Sequence, residues 1–143
     1  MRITLFALAL LAAAQFFACK SAKHTADKLP AEQIRWGSGG GFTGKETSFA
    51  LLENGQIFQF KTLDGSTTER ASIKAKTARG LFSTAKDLAL RDVRHEHPGN
   101  MYFFLELRDG AGTHRITWSD AMPVEQKAKD FYMVLQQLLQ AQK

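Results

Sequence analysis

One cysteine, three prolines and no extended block of like charge mark this 143-residue chain. The lone cysteine, Cys19, excludes an internal disulfide, so the folded part must be held by packing alone. Pro30 and Pro98 fall in polar stretches and Pro123 at a helix start, so the strand and helix patterns run uninterrupted. Lysine and arginine outnumber the acids by 19 to 14, a net charge of +5, yet the basic residues are scattered. No stripe or block suits a phosphate backbone, so nucleic acid is not an expected partner. Long apolar runs are also missing, apart from one at the very start.

That run, Ile3 to Ala14, has about 12 residues, against about 20 for a membrane-spanning helix. Arg2 precedes it, and Ala18 stands directly before Cys19. A basic start, a short apolar stretch and a small residue before the cleavage point describe a secretory signal. With cysteine next, the segment resembles a bacterial lipoprotein signal. On that reading residues 1–18 are a signal peptide, and Cys19 is the lipidated first residue of the mature chain. Its thiol is the nucleophile that takes a diacylglycerol, and each buried CH₂ adds about 0.8 kcal/mol of membrane affinity. Residues 19–33 are polar and small and predict a flexible tether, about 50 Å long if fully extended. Lys20 follows Cys19 in place of the aspartate that resembles an inner-membrane retention signal. The expected location is therefore the cell envelope, at the outer membrane facing the periplasm.

Residues 34–143 are expected to form a single domain, large enough to build a core without staples. Ile34-Arg35-Trp36 opens it as a strand, and Lys45 to Glu53 resumes strand character after a glycine-rich stretch. Asn54-Gly55 signals a hairpin, because both residues tolerate positive φ, and Gln56 to Lys61 returns. Ala78, Leu81, Phe82, Ala85 and Leu88 recur at helical spacing, which predicts a helix over about 72–89. Met101 to Arg108 and Thr113 to Trp118 form a second hairpin around Asp109-Gly110-Ala111-Gly112. Ser119-Asp120 is a candidate cap for a last helix, whose stripe is Val124, Ala128, Phe131, Leu135, Leu138 and Leu139. The order β-β-β-α-β-β-α predicts an α+β two-layer sandwich: an antiparallel sheet of about five strands with two helices packed on one face.

Chemistry-bearing patterns are sparse. Gly39-Gly40-Gly41-Phe42-Thr43-Gly44-Lys45 matches the spacing of a phosphate-binding loop. Glu46 then replaces the Ser or Thr that would hold magnesium, and a strand follows where a helix is needed, so no nucleotide is expected. His95-Glu96-His97 puts two imidazoles on one side of an extended segment, but lacks a third ligand nearby, so no metal is expected. Ser38 is not set in a nucleophile elbow, and Glu46, Glu53 and Glu106 show no pairing, so catalytic residues and cofactors are not expected. Trp36, Trp118, Tyr102 and Phe104 lie at strand alternation, which favours core over an aromatic surface. The glycine-rich stretch reads two ways. Its glycines serve either a structural bulge or crossover, or a recognition loop of Ser38, Gly39, Gly40, Gly41, Phe42, Thr43 and Gly44 with Phe42 as apolar anchor.

The stretch Ser38 to Gly44, the following hairpin, Leu81-Phe82, Pro98-Gly99-Asn100-Met101-Tyr102 and Trp118 resemble a group of small uncharacterised lipoproteins from Bacteroidetes. That likeness implies lineage and fold, not activity. The motif Ser38 to Gly44 also resembles the Ser-Gly-Gly-Phe-x-Gly pattern of emfourin, a protein inhibitor of thermolysin-like metalloproteases, with one extra glycine here. This second likeness implies a protease-binding role with the glycine loop as contact. The expectation from the sequence is a lipid-anchored, non-catalytic binding module of the envelope. It would meet the membrane through the lipid on Cys19 and a protein partner such as a protease through the loop. The alternatives are an inhibitor of a thermolysin-like metalloprotease, a small envelope hydrolase, and a purely structural lipoprotein.

Overall fold

Side-chain alternation along Gln33–Gly40 sets the centre of the molecule. Ile34 and Trp36 point to one face, and Gln33, Arg35 and the small Gly37 and Gly39 to the other. This strand, β1, pairs antiparallel with β2 (Lys45–Leu51) on one side and with β5 (Met101–Asp109) on the other. β3 (Ile57–Lys61) and β4 (Thr67–Arg70) extend the sheet beyond β2, and β6 (Gly112–Trp118) extends it beyond β5. The result is a six-stranded antiparallel sheet of order β4-β3-β2-β1-β5-β6. Helices α1 (Ala75–Asp87) and α2 (Gln126–Gln140) make it an α+β fold. The computed structural model describes residues 22–141. The expected signal peptide of residues 1–18 and the lipidation at Cys19 lie outside the described residues.

The helices cover one face. Ile34, Trp36, Leu51, Ile57, Leu105, Leu107 and Ile116 from the strands meet Ala78, Ala85, Ala128, Phe131 and Leu135 from the helices in one cluster. Full burial of an aliphatic side chain of this kind stabilises by about 1.5–3 kcal/mol, so this face carries most of the folding free energy. Tyr132 meets Trp118 and Phe103 edge-on, with the Trp118 and Tyr132 centroids 5.2 Å apart, and Phe103 lies tilted against Trp118. The Tyr132 hydroxyl donates to the Gly37 carbonyl at 3.4 Å and accepts from Gln136 at 2.7 Å.

Three features depart from the sequence reading. A sixth strand, β4, follows the turn at Leu63–Ser66; its Thr-Thr-Glu-Arg sequence has no apolar alternation because it lies at the sheet edge and is mostly exposed. The last helix starts at Gln126 behind Glu125, which makes no side-chain cap. Ser119 and Met122 instead close a turn through mutual backbone bonds, and the buried Ser119 hydroxyl has no partner among the described residues.

The third concerns the expected tether, which is docked where it is described. The Asn54–Gln56 turn presents side-chain amides that substitute for a strand partner. Asn54 Nδ2 donates to the Ala22 carbonyl at 2.8 Å, the His24 amide donates to Gln56 Oε1 at 2.7 Å, and Gln56 Nε2 donates back to the His24 carbonyl at 3.0 Å. Thr25 and Lys28 then close a small antiparallel bridge. Only Lys20 and Ser21 separate Cys19 from this docked segment.

Candidate functional site

The glycine-rich stretch is a hairpin, neither bulge nor crossover. Ser38, Gly39 and Gly40 belong to β1, in register with Thr47, Glu46 and Lys45 of β2. Gly41, Phe42, Thr43 and Gly44 make the turn, closed by Gly44 N–H donating to the Gly41 carbonyl at 3.1 Å. Gly40 (φ 103°) and Gly41 (φ 74°) adopt backbone that side chains rarely tolerate, and a Cβ on Gly40 would overlap the Asn100 carbonyl. Gly41 N–H donates to that same carbonyl at 2.6 Å, tying the hairpin to the loop ahead of β5. Phe42 at the tip is 107% exposed, so its ring stands in solvent. Met101, against Gly41, and Leu63, in the neighbouring β3–β4 turn, are also exposed. Thr62 ties that turn to β2 through backbone and hydroxyl bonds to Glu46. Phe42, Met101 and Leu63 therefore share one end of the sheet. The docked segment at Asn54–Gln56 sits at the other end of β2, about 20 Å away at strand rise.

Behind the tip, the face opposite α1 and α2 carries charge. Arg115 on β6 reaches across two strands to Glu46 on β2, Nη2 to Oε2 at 2.9 Å, and Tyr102 donates to the same oxygen at 2.9 Å. The span is possible because Gly37 and Gly39 leave a trough across β1. A Cβ on Gly39 would stand 2.6 Å from the Tyr102 oxygen, and one on Gly37 would overlap the Thr47 carbonyl and press on the Phe104 ring. The Arg115 guanidinium lies 3.6 Å above the Phe104 centroid and seals that ring from solvent. It also meets Glu106 at 3.4 Å, whose other oxygen accepts from Arg108 at 2.6 Å. Burial first, and then the bond to Glu46, push the Tyr102 hydroxyl above its ordinary range.

Glu46 and Glu106, which in sequence show no pairing, are thus bound to one arginine. The legible part of that signal was the β5–β6 hairpin, whose register sets Glu106 opposite Arg115. Glu46 is 69 positions away from Arg115 and could not be found that way. Trp36, Trp118 and Phe104 are buried, the first two under the helices and Phe104 on the opposite face, while Tyr102 is half-exposed. His95 and His97 stack edge-on at 4.8 Å beside β6, and the backbone of both pairs with Thr117. Among the described residues no three His, Cys, Asp or Glu side chains gather to hold a metal ion.

A cavity lies elsewhere, between the end of α1 and the strand ends. It holds about 400 Å³ over a floor of Ile34, Phe82 and Leu107, with the Arg91–Asp109 pair at 2.8 Å on its rim. Among the described residues no helix is long and apolar enough to cross a membrane. Neither a protein-family model nor a curated protein matches this chain.

Proposed function

We propose that the chain is a lipid-anchored cell-envelope protein that acts as a binding module, with the β1–β2 hairpin tip as its contact for a protein partner. The observation that carries this reading is Phe42, a fully exposed aromatic ring on a hairpin whose backbone is fixed by Gly40, Gly41 and the bond to Asn100. An apolar anchor on a rigid turn loses little entropy on docking, and such anchors dominate interface energies. Met101 and Leu63 widen the apolar end of the sheet around it.

The anchor side supports the same reading. With Cys19 lipidated, two residues would join the bilayer to the docked segment, holding the domain close to the membrane with the hairpin tip at its far end. A tip in that position is free to meet another protein of the envelope. The test is capture from envelope extracts with wild-type and Phe42→Ala protein. A specific partner retained by the wild type and lost from the variant is the expected result, and equal capture by both defeats the reading. Labelling with a radioactive fatty acid, present in the wild type and absent in Cys19→Ala, tests the anchor separately.

A narrower version, inhibition of a thermolysin-like metalloprotease, draws on the Ser38 to Gly44 likeness and on the exposed Phe42. Full peptidase rate in the presence of the purified domain would defeat that version alone.

A further inference from the structure

The face opposite α1 and α2 holds a second feature, independent of the hairpin tip. Arg35 lies at its centre, on the middle strand. Its Nε donates to Gln33 Oε1 at 2.9 Å, and Gln33 is itself fixed by a 2.6 Å bond to the Pro30 carbonyl. Its guanidinium lies 4.5 Å from the Phe60 centroid. The side chain is thus aimed and half-buried, yet its two terminal nitrogens have no hydrogen-bond or ion-pair partner among the described residues. The cross-strand neighbour that could pair with it, Glu106, has both oxygens taken by Arg108 and Arg115.

Arg108 is opposite Gln33, so it is the diagonal neighbour of Arg35 on the same face. Its Nε is held by Glu106, and its terminal nitrogens are likewise unpartnered among the described residues. Across this part of the face, three arginines (Arg35, Arg108 and Arg115) meet two carboxylates, Glu46 and Glu106. Burial first, and then the nearby Arg108, push the Arg35 guanidinium below its ordinary value, while the carboxylates of Glu106 and Glu46 favour its charge more weakly. Guanidinium forks match carboxylate and phosphate geometry.

We propose that Arg35 and Arg108 together form a binding point for an oxyanion, a carboxylate or phosphate group of a small ligand, on the open face of the sheet. Nitrogen-15 NMR of the arginine Nε–Hε signals tests it, with sodium phosphate or sodium acetate added at constant ionic strength. Saturable shifts at Arg35 and Arg108 are expected; the Arg108 shift is lost in Arg35→Gln, and both are retained in Arg79→Gln, whose side chain lies away from this face. A larger response to phosphate identifies a phosphate site, and a larger response to acetate a carboxylate site. Shifts that grow linearly without saturating, or an Arg108 shift that persists in Arg35→Gln, overturn the proposal. Should Arg35→Gln fail to fold, Arg35→Lys decides: losing the fork should weaken binding about tenfold, and unchanged affinity overturns the proposal.

Discussion

The two faces of the sheet solve the same problem by different means. The face under α1 and α2 is apolar from strand to helix, with Trp36, Leu51, Leu105 and Leu135 almost wholly enclosed. The opposite face has no second layer among the described residues, yet Phe58 and Phe104 on it are buried as deeply. Their cover is the Arg115 guanidinium over Phe104, and the docked segment around Lys23–Ala26, which lines a cleft with Phe58. One face is held by non-directional packing, which tolerates changes of contact that keep volume. The other is held by a few directed pairs, each of which needs a particular register and a particular absence of side chain. Energy therefore concentrates on the helix side and positional constraint on the open side.

Four substitutions and one titration sharpen this contrast. Leu105→Ala, on the packed face, should cost about 2–5 kcal/mol, read as a lower denaturant midpoint at unchanged slope. Gly37→Ala comes next at about 1–3 kcal/mol, since the added methyl meets the backbone of Thr47, which cannot step aside. A cost near zero would mean that the trough is not needed. Arg115→Ala should cost about 1 kcal/mol, because its ion pairs are partly solvated and the ring contact adds modestly. High salt should shrink that cost, whereas the cost of Leu105→Ala should not respond.

Alkali gives a smaller effect with a defined sign. The folded state holds Tyr102 above its ordinary value of 10.0, so it favours the protonated phenol. That contribution is complete below the ordinary value and is lost as pH rises through the higher folded value. Unfolding curves from neutral to alkaline pH should show wild type losing slightly more stability than Tyr102→Phe. Phe42→Ala should change stability least, within about 0.5 kcal/mol, because the ring is wholly exposed. A larger loss in thermal or denaturant midpoint would show that the tip has a structural role.

Most of the scaffold was legible in the sequence because local period encodes it. The stripe Val124, Ala128, Phe131, Leu135 announced the last helix, and Asp109–Gly112 announced the β5–β6 turn. β4 was not legible, since an exposed edge strand needs no apolar alternation. The hairpin nature of Ser38 to Gly44 was hidden for a related reason. Glycines there answer to neighbours distant in the chain, Asn100 and Tyr102, and not to their own segment. Docking of residues 22–28 was equally hidden, because a polar stretch reads as tether whether or not distant amides are waiting for it.

By itself the sequence determined the α+β class, the two hairpins, the two amphipathic helices and the apolar residues that form the core. These follow from propensity and period, which act over a few residues. Only the tertiary structure decided that Arg115 crosses the glycine trough to Glu46, that the terminal nitrogens of Arg35 make no direct ion pair among the described residues, and that Phe42 is exposed at one end of the sheet while residues 22–24 dock at the other. Those are matters of strand order and register, set by which segments pack together, and pairs 32 or 69 positions apart carry no local signal of their meeting.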